Sequence, residues 1–134
     1  PLQDRGLYSS LAHMQAQSGQ VGSALSTLED AAAAFPEDFT FHYALSSFLG
    51  ELNELDRALE SARLARKYAY GDNSLRAAHR EASVLVALEQ KEEALRLVTE
   101  ALDANERPPE DLEVRTHRYL DKLVELQGEL TAGD

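Results

Sequence analysis

The chain of 134 residues has no cysteine. That excludes disulfides, thiolate metal sites and a thiol nucleophile. It does not choose a compartment: a soluble protein of the cytoplasm is the first expectation, and the periplasm stays open. Basic residues are scarce as well, 13 Lys and Arg against 24 Asp and Glu, for a net charge of −11. Phosphates are repelled by such a chain, so nucleic acid and anionic membrane are disfavoured as general partners, although a local basic patch is not. No apolar run approaches the roughly 18 residues of a membrane span, and no basic-then-apolar signal opens the chain. The alternating pattern of a half-buried strand is missing too, as are long linkers and glycine runs. The first residue is Pro1 rather than Met, which suggests a piece cut from a larger protein.

What is present is one phrase said three times. Gln17-Ser18-Gly19-Gln20-Val21-Gly22-Ser23-Ala24-Leu25 returns as Glu51 to Leu59, and again as Leu88 to Leu95. Its Ala-Leu pair advances 34 residues from Ala24 to Ala58 and 36 more to Ala94. Self-similarity near 34 residues marks a helical-repeat array. The helical period agrees. Leu7, Leu11 and Met14 share one face of a first helix ending near Ser18-Gly19. Val21, Leu25, Leu28 and Ala32 mark a second, closed by Phe35-Pro36. Pro36 cannot continue a helix, and Glu37-Asp38 supply a polar start for the next. Phe41, Leu45, Phe48 and Leu49, then Leu55, Leu59, Ala62 and Ala65, repeat the plan. Gly71-Asp72-Asn73 breaks it, with Gly71 read as the C-cap of the fourth helix. A third pair runs from about 74 to 88 and 92 to 105, Pro108-Pro109 ends it, and a last helix follows over about 110–130.

Small residues recur where two helices must approach: Ala24/Ala31, Ala58/Ala65 and Ala94/Ala101 are each two turns apart on one face. One hairpin cannot bury its own apolar face, so neighbours must stack. On the last helix Leu112, Tyr119, Leu123, Leu126 and Leu130 form the covering stripe, and Leu120 and Val124 widen it beyond the needs of one packed face. Leu120 and Val124 are therefore the candidates for self-association, with a homodimer as the expected product.

Tyr8, Leu11, Ala12, Gly19, Ala24, Leu28, Ala31 and Pro36 in the first repeat resemble the tetratricopeptide-repeat family. So do Leu45, Ser46, Leu49, Ala58, Ala62 and Ala65 in the second, where His42 takes the aromatic place and Tyr70 the proline place. The third is sparser, with Ala82, Leu85, Ala94, Val98 and Ala101, Glu81 standing for Leu and Glu106 for Pro. The resemblance implies an all-α fold: a right-handed superhelical array of helix hairpins with about seven helices. It would be a single domain over 1–134, with repeats at about 5–38, 39–72 and 75–108 and a cap at about 110–130. It also implies a concave groove lined by the first helix of each repeat. The residues expected to line it are Ser9, His13, Tyr43, Ser47, Arg76, His79 and Arg80. In co-chaperone members of the family, Lys and Asn residues and two basic residues clamp an acidic C-terminal tail. Arg76 and Arg80 match the basic pair, but Ser9, His13 and Ala44 hold the other three places, so a heat-shock chaperone tail is not the expected ligand. A carboxylate or phosphate gripped by Arg76 and Arg80 stands against a solvated pair balancing Glu81 and nearby acids.

The remaining chemistry is thin. His13, His42, His79 and His117 lack the i, i+4 spacing of a helical zinc site, and His42 reads as a core substitute for the aromatic. Glu51/Glu54, Glu92/Glu93 and Glu110/Asp111/Glu113 cluster at loops and helix starts, where they complement the helix dipole; none reads as the shielded acid of a catalytic pair. No Gly-x-Ser-x-Gly turn or phosphate cradle occurs. Tyr68 and Tyr70 could anchor a ligand or cover core. No enzyme activity, cofactor or metal is expected. The leading function is binding of a protein or peptide in the groove. The alternatives are self-association through the last helix, and service as an accessory domain of a larger bacterial protein. Some thioredoxin-fold proteins carry such arrays, and Tyr70-Gly71-Asp72-Asn73 resembles a stretch found in some of them.

Overall fold

The computed structural model describes residues 4–104 and 114–132, with the backbone alone over 114–117. Leu112, His117, Glu106, Pro108 and Pro109, and the expected cap residues 110–113, carry readings that lie outside the described residues or side chains. Among the described residues every regular element is an α-helix: α1 (Arg5–Gln17), α2 (Val21–Ala34), α3 (Phe39–Glu51), α4 (Leu55–Tyr68), α5 (Asp72–Ala87), α6 (Lys91–Ala104) and α7 (Val114–Ala132). They divide into two compact units, Pro1–Tyr68 and Ala69–Asp134.

In unit 1, α1 packs on α2, α2 on α3 and α3 on α4. The starts of α1 and α3 are capped by side chains: the Asp4 carboxylate accepts from the Gly6 amide at 2.8 Å and Asp38 from Thr40 at 3.0 Å. Such caps satisfy donors the helix leaves unpaired. The hairpin turns repeat at the level of hydrogen bonds. Gly19, Asn53 and Glu89 all take left-handed φ, at 78°, 60° and 62°. Each is followed by an amide that reaches back across the turn, Gln20 to Gln15, Glu54 to Leu49 and Gln90 to Leu85, all at 2.8 Å. This is the left-handed helix end that glycine favours; two of the three copies adopt it without glycine.

The unit 1 core is aromatic at one end and small in the middle. Tyr8, Phe35 and Phe41 meet with ring centroids 6.1 to 6.2 Å apart. The Arg5 guanidinium lies over Phe41 and donates to Asp38 at 2.6 Å, tying the start of α1 to the start of α3. Ala24, Ala31, Ala58, Ala62 and Ala65 are fully buried, which lets helix axes approach closely. At Ser46, also buried, the hydroxyl donates to the Ala58 carbonyl at 2.9 Å. His42 does sit in the core. It stacks on Tyr68 and its Nε2–H donates to the Pro36 carbonyl at 2.7 Å.

In unit 2, α5 and α6 form the third hairpin and α7 packs against both. Leu75, Leu85, Val98, Leu120 and Leu123 are its buried centre. Gln127 on α7 donates to Thr99 on α6 at 3.2 Å.

Four readings need correction. Leu120 is buried in the unit 2 core. An apolar side chain already covered by its own chain has no surface for a second copy, so only Val124 of that pair is exposed. Gly71 does not end α4. It precedes α5 with φ 60°, and α5 begins at Asp72 because the acidic residue suits the positive end of a helix dipole. Tyr70 covers nothing, being largely exposed; Tyr68 alone does that work. Leu7, Leu11 and Met14 share a face of α1, but it is an exposed one. Tyr8 and Ala12 take α1 into the core.

Candidate functional site

Each unit has one helix face of distinct chemistry. In unit 1 this is a hollow of about 220 Å³ between α1 and α3. Ser9, Ala12, His13 and Ala16 bring one wall, at the i, i+3, i+4, i+7 spacing of one helix face. Thr40, Ala44 and Phe48 bring the other at i, i+4, i+8, and Leu28 and Phe41 floor it. The hollow exists because Ala12, Ala16 and Ala44 are short, while Phe48 stands at its edge half-buried. Of the candidate residues, Ser9 and His13 line it. Tyr43 and Ser47, half-buried on α3, are not among its lining; Tyr43 rests against Phe39 with centroids 5.4 Å apart. Sequence reasoning missed Phe48, whose apolar character read as core, and Thr40 and Ala16; Ala44 it placed only at a clamp position of the groove. The available signal was size: small residues opposite each other with one aromatic beside them.

Other hollows of unit 1 suit a ligand less. One of about 430 Å³ lies along α4 alone, between Asp56, Glu60, Arg63 and Lys67, and a single helix cannot enclose a ligand. Another, of about 200 Å³, runs along α2, α3 and α4 beside Glu29, Arg57 and Glu60, where Arg57 already donates to Glu29 at 3.3 Å.

In unit 2 the face is that of α5. Arg76, His79 and Arg80 stand at i, i+3, i+4 and are all half-buried, so one helix face carries two guanidinium groups and an imidazole. Burial lowers the His79 pKa below its ordinary 6.5; Lys122 and Arg80 lower it further, and Glu125 opposes them. The imidazole is therefore neutral at physiological pH and the positive charge belongs to the arginines. The Ser83 hydroxyl, one turn on, is engaged with the His79 carbonyl at 2.8 Å. Among the described residues no three His, Asp or Glu side chains come together as a metal site. No helix among them is long and apolar enough to cross a membrane.

No family model matches the chain, and no curated protein matches it. Solved structures do. The Yersinia enterocolitica type III secretion chaperone SycD, in complex with a peptide of the translocator YopD, matches with a TM-score of 0.77 at 16% identity, over 96% of this chain and 92% of that one. The TPR2B domain of yeast Sti1, in a complex with pHsp70, matches with a TM-score of 0.76 at 16% identity, over 97% and 98%. The fold is a tetratricopeptide-repeat fold. The first such domain of Spaghetti (RPAP3), bound to the HSP90 peptide SRMEEVD, matches with a TM-score of 0.65 at 17% identity over 94% of both chains. At these identities the likeness establishes the tetratricopeptide-repeat architecture; what the face of each repeat binds is set by its own side chains.

Proposed function

We propose that the chain is a non-catalytic module that binds a segment of another protein, as an extended peptide or a helix. Its α1–α3 hollow takes an apolar side chain, and Arg76 and Arg80 take an acidic group. The observation that carries this reading is the hollow: an apolar concavity of side-chain size, on a repeat fold whose solved counterparts include peptide complexes. Binding sites are concave, mostly apolar and furnished with few polar groups, and the α1–α3 hollow fits that description through Phe41, Phe48 and three alanines. Ser9, His13 and Ala44 carry no ammonium or amide to hold a terminal carboxylate in unit 1, so the contact there is apolar. In unit 2 each guanidinium donates to a carboxylate or phosphate with forked geometry, and neutral His79 adds a donor without adding charge.

Panning a displayed peptide library on the chain, followed by calorimetry on the selected peptides, tests the proposal. Ala44→Trp, which fills the hollow, is expected to weaken binding at least about tenfold, roughly 1.4 kcal/mol. Arg76→Glu with Arg80→Glu is expected to cost acidic peptides about as much or more. Selected peptides that bind Ala44→Trp and the Arg double variant as tightly as the parent would show that neither face is the site.

A further inference from the structure

The first hairpin differs from everything after it in a way its packing does not require. Between Gly6 and Leu28 there is no Asp, Glu, Lys or Arg, in a chain that is 28% charged. The same stretch holds four of the seven large apolar side chains that stand exposed among the described residues: Leu7 at 53%, Leu11 at 39%, Met14 at 62% and Val21 at 38%. The other three, Leu52, Tyr70 and Val124, sit on separate segments. Leu7, Leu11 and Met14 follow one another by four and three residues, the spacing of a coiled-coil seam. Flanking the seam are Ser10 and Gln17, both exposed and uncharged. By helical period the seam lies about 180° round α1 from Ala12, His13 and Ala16, which line the hollow.

We infer that this stripe is the contact with a second copy of the chain, α1 against α1 across a twofold axis. Charge selects the occupant. Two copies at −11 each repel, and the hairpin from Gly6 to Leu28 is where that repulsion is weakest, because it contributes no charge of its own. A partner chosen by charge finds none here to complement. An uncharged apolar stripe is complementary to itself under a twofold, as an isologous interface requires. A helix of 13 residues spans about 20 Å. The contact therefore falls at or below the small end of specific interfaces, about 600 Å² per partner, and the dimer is concentration-dependent.

Sedimentation and light scattering on the whole chain test this over about 10 μM to about 1 mM, the range a small interface implies. The mass is expected to rise from 14.8 kDa towards twice that value. Leu11→Glu with Met14→Glu is expected to hold it at 14.8 kDa with helical circular dichroism unchanged, since both side chains are exposed. Val124→Glu, on α7, is expected to leave the dimer intact. Added salt is expected to tighten association, because it screens net repulsion and breaks no ion pair. Mass that stays at 14.8 kDa throughout, a dimer that survives the α1 double variant, or one lost with Val124→Glu overturns the inference. Peptides selected by the hollow should bind the α1 double variant unchanged, so failure of the dimer and failure of peptide binding are read separately.

Discussion

Units 1 and 2 are made from the same repeat and present opposite chemistry. Stepping 34 and then 36 residues along the chain, Ser9 becomes Tyr43 and then His79; Ser10 becomes Ala44 and then Arg80; Gly6 becomes Thr40 and then Arg76. Over the same steps the packing positions hardly change: Ala12, Ser46 and Ala82 are all buried, as are Ala24, Ala58 and Ala94. A hairpin closes only if small residues let its helices approach, so those positions are constrained by geometry. The facing positions do not close a hairpin, so their side chains vary: small ones border an apolar hollow in one unit, and two guanidinium groups with an imidazole make a basic face in the other.

The largest expected effect on this comparison comes from the cores. Phe41→Ala in unit 1 should cost about 3–5 kcal/mol and Leu85→Ala in unit 2 about 2–5 kcal/mol. Denaturant titration measures the loss, and hydrogen exchange read helix by helix assigns it to α1–α4 or to α5–α7. Ser46→Ala should cost less, about 0.5–1.5 kcal/mol. Alanine already occupies the matching positions at 12 and 82, so packing is kept and only the bond to Ala58 is lost; a cost like that of Phe41→Ala would mean the repeat positions are not equivalent. Glu89→Gly should go the other way. A non-glycine residue at φ 62° carries about 1–2 kcal/mol of left-handed strain, partly offset by the greater unfolded freedom of glycine. A gain of about 0.5–1 kcal/mol, seen as a higher midpoint with unchanged slope, is expected.

The smallest effects are those of acid, and they separate the units by pH. His79 in unit 2 has its folded pKa lowered below 6.5. As pH falls past 6.5 the unfolded chain takes a proton that the folded one refuses, so stability declines until the lowered value is reached. Asp38 in unit 1 responds lower down. Burial raises its pKa, but the hydrogen bond and charge of Arg5 and the Thr40 amide outweigh that, leaving it below 3.8. Its contribution is intact above 3.8 and disappears as pH falls through the folded value. His79→Gln should flatten the upper window and Asp38→Asn the lower, each leaving the other in place, in urea midpoints taken between pH 7 and pH 3.

Much of the architecture was legible in the residues. The spacing of Ala24, Ala58 and Ala94, the break at Phe35-Pro36 and the acidic cap at Asp38 are local or periodic features, and periodicity survives translation into structure because a helix has one geometry. The α1–α3 hollow was half legible. Ser9 and His13 fell beside the hollow, yet Phe48 read as core, since an apolar residue shows its period but not how much of it a neighbour will cover. Gly71 misled for a related reason: a glycine between two helices marks a boundary without saying to which helix it belongs.

The all-α repeat follows from local residues alone, because hairpin closure and helical period are written in nearest neighbours and small-residue spacing. Which apolar stripes are covered is set by the packing of one helix on another. Leu120 and Val124 lie one turn apart on α7 and look alike in the sequence, but one is buried and the other exposed. Leu7, Leu11 and Met14 have the spacing of a core face and stand in solvent. Burial depends on which helix faces which, and that is a property of packed partners rather than of any one segment.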